Sequence, residues 1–245
     1  MDTPIVRIEN LSHRYSVQWA VRDINLEIRQ HGIYGLLGSN GAGKSTIMNI
    51  MCGVLKQTEG DIYIKGINTR IDPVEAKCHI GFLPQQPPLH PDLTVEEYLD
   101  YSARLRYIPH KEIPAAITEV VEKCGISHFR KRLIRNLSGG YQQRVGIAQA
   151  IIHNPDFIIL DEPTNGLDPN QILEGTVILS THILPEVQAT CEYIYMVEKG
   201  KMVFSGTVDE FDNYILPTTI RVTLLAHPTV EELTMIPGLV AAQHL

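Results

Sequence analysis

"GLLGSNGAGKST", residues 35–46, decides the fold. It lies at the end of an apolar run, "GIYGLLG" at 32–38, and opens onto "STIMNIMCG", whose Ile47, Ile50 and Met51 share one helical face. Gly53 supplies the stop. A strand, a glycine-rich turn and a helix in that order, with Gly38, Gly43, Lys44 and Ser45 filling G-x-x-x-x-G-K-[ST], make a phosphate-binding loop. Glycines permit positive φ, so successive N–H groups of Gly38, Ser39, Asn40, Gly41, Ala42 and Gly43 can point inward around an anion. The new helix, from Lys44, Ser45 and Thr46 onward, adds the partial positive charge of its N-terminus. Lys44 is placed to meet the β- and γ-phosphates, and Ser45 to ligate Mg²⁺. The loop itself leaves open which kind of nucleotide machine it serves.

Further along, "FIILDEP" at 157–163 is an apolar strand ending in two carboxylates. Asp161, beside the phosphate loop, is expected to hold Mg²⁺. Glu162, one residue on and pointing elsewhere, is expected to polarise the water that attacks the γ-phosphate. "LSGGYQQRV" at 137–145 offers a second anion site. Ser138 is an expected N-cap, Gly139 and Gly140 follow it, and Val145, Ala148 and Ile152 form the apolar stripe of the helix. One chain therefore carries two phosphate-binding helix ends, while one nucleotide needs only one.

Between these motifs the chain alternates strands and helices, which favours a parallel sheet covered by helices. The first thirty residues read as strands, "IVRIENLSHRY" and "AVRDINLEIRQ", and "GDIYIKG" at 60–66 as another. "PQQPPLHPDL" at 84–93 is loop. Thr94 and Glu97 form a capping box that starts a helix. A second helix spans about 114–124, closed by Gly125, and a third runs from Gly139 to His153 before Pro155.

The 245 residues, with 44% hydrophobic and 20% charged residues, describe an ordinary globular chain. A net charge of −7 argues against a general nucleic-acid binder, and the basic cluster "FRKRLIR" at 129–135 reads as a solvated face. Cys52, Cys78, Cys124 and Cys191 lack metal-ligand spacing. No signal pattern opens the chain and no stretch reaches the roughly 20 apolar residues of a membrane span. If the protein works at a membrane, something else anchors it.

With these motifs in this order, residues 3–211 resemble the nucleotide-binding subunit of ATP-binding cassette (ABC) transporters, and "LSGGYQQR" resembles that family's signature. The resemblance implies an α/β P-loop (RecA-like) ATPase core with an antiparallel β segment and a helical insert at about 86–137. It implies that Tyr15 stacks on adenine and that Gln85 senses Mg²⁺ and contacts the membrane partner. Asp168 lies in the D-loop, and His182 contacts the γ-phosphate. Ser138, Gly139 and Gly140 meet the ATP held by a second, head-to-tail subunit. The function implied is MgATP hydrolysis by a homodimer or paired ATPase subunit that drives a separate transmembrane permease, for export. The subunit would lie peripherally on the cytoplasmic face of the cell membrane, with neither membrane insertion nor nucleic acid. The alternatives are a soluble relative acting on ribosomes or DNA, and a regulatory module that binds ATP without hydrolysis.

Two stretches depart from the family pattern. "NGLDPNQILEGTVILSTH" at 165–182 leaves only "NQILEG" for a helix crossing between neighbouring parallel strands, about 9 Å of helix against a strand of about 17 Å. Either residues are omitted there, or a genuine deletion displaces Asp168 and His182. Residues 214–245 resemble the start of a small C-terminal accessory extension, with 1–213 as the ATPase domain.

Overall fold

The computed structural model describes residues 3–163 and 175–214. Two sheets organise them. The first is antiparallel, in the order β2-β1-β4-β5, from β1 (Val6–Tyr15), β2 (Gln18–Ile28), β4 (Glu59–Ile64) and β5 (Ile67–Asn68). The second has the order β10-β9-β3-β8-β7-β6. It comprises β3 (Gly32–Leu37), β6 (Ile80–Leu83), β7 (Phe157–Asp161), β8 (Thr176–Thr181), β9 (Tyr193–Glu198) and β10 (Lys201–Thr207). All its pairings are parallel except β9–β10.

The central strands β7 and β8 are buried along their whole length, as parallel strands covered on both faces must be. Their alternate side chains enter two different cores. Ile158, Leu160, Val177 and Leu179 pack on the side of the helical insert, while Phe157, Ile159 and Ile178 pack on the side of the antiparallel sheet. Helix α1 (Lys44–Met51) buries Ile47, Met48, Ile50 and Met51 in the second core. Each such side chain removed from water stabilises by about 1.5–3 kcal/mol. Helix α2 (Pro73–Cys78) leads into β6.

The insert contains α3 (Val95–Leu105) and α4 (Ile113–Lys123), which pack on each other and on α5 (Gly139–Ile151). The expected capping box is present: the Thr94 hydroxyl accepts from Glu97 N, and the Glu97 carboxylate accepts from Thr94 N at 2.8 Å. Helices α6 (Leu184–Thr190) and α7 (Val208–Tyr214) follow, and Phe211 of α7 is buried. Residues 1–211 form one compact unit and 212–245 a second, of which only 212–214 are described.

β7 and β8 are indeed parallel neighbours, with Asp161 opposite Ser180. The chain leaves β7 at Asp161 and re-enters β8 at Thr176, opposite Phe157, so the connection must return along the strand. Its middle, 164–174, lies outside the described residues, and so does Asp168. The reading of 215–245 likewise falls outside them.

Candidate functional site

The strand order gathers the motifs. β3 lies beside β8, β8 beside β7, and β7 beside β6. The C-terminal ends of these four strands carry the phosphate loop, His182, the two acids and Gln85. Ligands of open α/β sheets gather at this end.

The phosphate loop is tightly held. A Cβ on Gly38 would lie 2.4 Å from the Val197 carbonyl oxygen, so only glycine fits there. Gly43 has φ 111. The Gly200 N–H donates to Ala42 O at 2.9 Å and fixes the loop against the turn after β9. Lys44 is 4% exposed, and its Nζ donates to Gly38 O at 2.8 Å and Ser39 O at 3.3 Å. The ammonium thus curls under the loop it serves.

The two acids diverge as expected. Asp161, 4% exposed, accepts from Ser45 Oγ at 3.2 Å and from Ser180 Oγ at 2.6 Å, both at Oδ1. Glu162 has φ 47, a left-handed conformation that costs an L-residue about 1–2 kcal/mol. Its carboxylate is the hub of the site. Gln85 Nε2 donates to Oε2 at 3.0 Å, while Lys44 Nζ and His182 Nδ1 lie 3.6 and 3.5 Å from Oε1. Next to His182, Thr181 Oγ1 donates to Glu186 Oε2 at 2.9 Å and accepts from Ile183 N at 3.1 Å, which fixes the loop that carries the imidazole. Ser45 Oγ and Asp161 Oδ1 are hard oxygen donors side by side, a pair that suits Mg²⁺.

Two expected residues stand apart. Tyr15, at the end of β1, is 54% exposed and meets His13 edge-on, with ring centroids 4.7 Å apart. Ser138 occupies the N-cap of α5 as expected, although among the described residues its hydroxyl makes no capping hydrogen bond. Ser138, Gly139 and Gly140 are exposed, and a Cβ on either glycine would meet nothing within 4 Å among the described residues. Sequence reasoning missed Ser180, which is fully buried and touches both acids. Its only signal was a hydroxyl in the otherwise apolar run "TVILS".

A phosphate loop, paired acids at the end of β7 and an exposed glycine-led helix define a cassette-type nucleotide hydrolase. The family profile described as ABC transporter matches residues 21–165. A bacitracin transport ATP-binding protein, BcrA, of Bacillus licheniformis is 36% identical over 212 residues, covering 81% of this chain and 68% of the relative. A linearmycin resistance ATP-binding protein, LnrL, of Bacillus subtilis is 34% identical over 215 residues, covering 83% and 69%. The dimeric structure of a post-hydrolysis state of the ATP-binding cassette MJ0796 bound to ADP and Pi superposes with a TM-score of 0.73. That match is 29% identical and covers 83% of this chain and 98% of that one. The chain belongs to the ABC transporter family, as an ATP-binding and ATP-hydrolysing subunit. No helix among the described residues is long and apolar enough to cross a membrane.

Proposed function

We propose that this subunit hydrolyses MgATP between two head-to-tail cassettes and that the resulting opening and closing drives a separate transmembrane permease, for export. The observation that carries the reading is the convergence of Lys44, Gln85 and His182 on the carboxylate of Glu162, next to the pair Ser45 and Asp161.

The geometry supports the following roles. The N–H groups of residues 38–43 and the ammonium of Lys44 cradle the β- and γ-phosphates. Ser45, Asp161 and the amide oxygen of Gln85 would hold Mg²⁺, which when bound would neutralise charge on the phosphate oxygens. Glu162 orients the attacking water and takes its proton, while His182 steadies the γ-phosphate. Tyr15, exposed beyond the loop, offers a face for adenine. The bare end of α5, Ser138 to Gly140, takes the γ-phosphate held by the other cassette. ATP thereby binds the closed pair better than the open one, and its loss reverses the shift.

The surface around Leu89, His90 and Asp92, directly after Gln85, is where the permease docks in this reading. Its partnership places the subunit on the cytoplasmic face of the membrane. A relative named for linearmycin resistance supports the outward direction.

Glu162→Gln tests the reading. Turnover is expected to fall about 100-fold or more, with ATP binding retained. Unchanged turnover would remove Glu162 as the base and favour a module that binds ATP without using this acid.

A further inference from the structure

Ser180 sits where two requirements of the site meet. It belongs to none of the motifs above, yet it is a fully buried hydroxyl one residue before the end of a largely apolar strand. The parallel register sets it opposite Asp161. Its oxygen accepts from the Glu162 backbone N–H at 2.9 Å, and an amide can only donate. The single hydroxyl proton is therefore free to go to Asp161 Oδ1, 2.6 Å away. One side chain thus fixes the direction of one carboxylate through its oxygen and of the next through its backbone.

We infer that Ser180 is a positioning residue for ATP hydrolysis, holding Asp161 towards Ser45 and locking the Glu162 backbone in the left-handed conformation that turns its carboxylate to Lys44, Gln85 and His182. The inference rests on the proposed roles of Asp161 and Glu162. Without the Ser180 oxygen, the Glu162 N–H has lost its acceptor at the point where the chain is in its disfavoured conformation. Relaxation of φ at Glu162 would swing the carboxylate away from the three groups that now surround it. Without the hydroxyl proton, Asp161 keeps only the longer bond from Ser45, at 3.2 Å. Both losses act on the acids rather than on the cradle for the phosphates, which is built from residues 38–44.

The prediction is therefore a split between kinetic constants. Ser180→Ala is expected to lower kcat at least about tenfold while KM for ATP stays within about twofold, as for other groups that orient a reacting residue. Thr176→Val is the control. It removes another fully buried hydroxyl from the same strand, one that meets His31 Nδ1 at 3.0 Å far from the acids. It should lower the unfolding midpoint comparably and leave kcat unchanged. Ser180→Cys, which keeps the shape with a weaker donor and acceptor, should fall between wild type and alanine, and it serves alone if the alanine variant does not fold. The inference is overturned if the folded Ser180 variants keep wild-type kcat, or if Thr176→Val costs as much turnover as Ser180→Ala. Glu162→Gln, measured in parallel, separates the two levels. If it abolishes turnover while the Ser180 variants do not, only the role of Ser180 fails. If it too leaves turnover intact, the catalytic reading beneath it fails.

Discussion

The chain presents two glycine-led helix N-termini, and they could hardly be built more differently. At α1, the Val197 carbonyl presses on Gly38 and Val21 and the Ala20 carbonyl on Gly43, Lys44 is buried, and Asp161, Glu162, Gln85 and His182 stand around the loop. At α5, Ser138, Gly139 and Gly140 lie open, with no capping bond from the serine and empty space where a Cβ would be. The first has nearly everything a phosphate needs. The second has only peptide N–H groups and the helix dipole, which gain meaning when an anion is brought to them. In the proposed reading, the catalytic half-site is folded into the chain, whereas the other half is a surface that meets a nucleotide carried by another subunit.

Substitution of the glycines should expose this contrast. In Gly38→Ala the new methyl meets the Val197 carbonyl, part of the rigid sheet, so the loop must move. We expect about 2 kcal/mol of lost stability, together with a loss of ATP affinity, both readable by denaturant titration and by nucleotide binding. Gly139→Asp should behave in the opposite way. Nothing crowds the new side chain, and an acid in the first turn suits the helix dipole, so stability should stay within about 0.5 kcal/mol. ATP binding to the single chain should also persist. Turnover should nevertheless fall at least about tenfold, because the carboxylate repels the γ-phosphate of the other half-site. A Gly139→Asp protein with full turnover would break the comparison.

A smaller effect concerns the far end of α5. The exposed N-terminus rides on a helix anchored in the core, where Gln149 Nε2 donates to Phe82 O at 2.9 Å and a Cβ on Gly146 would strike Leu83. Just past its C-terminus, His153 lies 3.1 Å from Ile80 O through Nε2, while its buried Nδ1 has no hydrogen-bond partner among the described residues. Burial, together with the positive charge of Arg106, lowers its pKa to about 4, despite the opposing hydrogen bond. The unfolded chain then binds the proton more readily. Stability is full above the ordinary pKa near 6.5 and is lost as pH falls towards 4, by about 3 kcal/mol at most. Acid titration of the unfolding midpoint should show a shallower decline over that window in His153→Gln than in wild type.

What could be read from the sequence was local chemistry. The phosphate loop, the capping box at Thr94 and Glu97, and the start of α5 each depend on residues within one turn of one another. The arrangement around Glu162 depends on the order of β3, β8, β7 and β6, which no short stretch encodes. Ser180 was invisible for that reason: only the parallel register brings it to Asp161, 19 residues earlier. Ser138 stands at the N-cap that its residue type suggests, but residue type alone did not show that its hydroxyl would make no capping bond among the described residues. His13 gave no signal either, though it is buried beside Tyr15 with both ring nitrogens unpartnered among the described residues.

The most direct test of the two half-sites is the oligomeric state of Glu162→Gln, a variant that should hold ATP without consuming it, measured by light scattering with and without saturating MgATP. The account predicts a particle of one chain without nucleotide and of two chains with it, and no such dimer when Gly139→Asp is added. A single-chain particle at saturating MgATP, or a dimer indifferent to both nucleotide and Gly139→Asp, would contradict it.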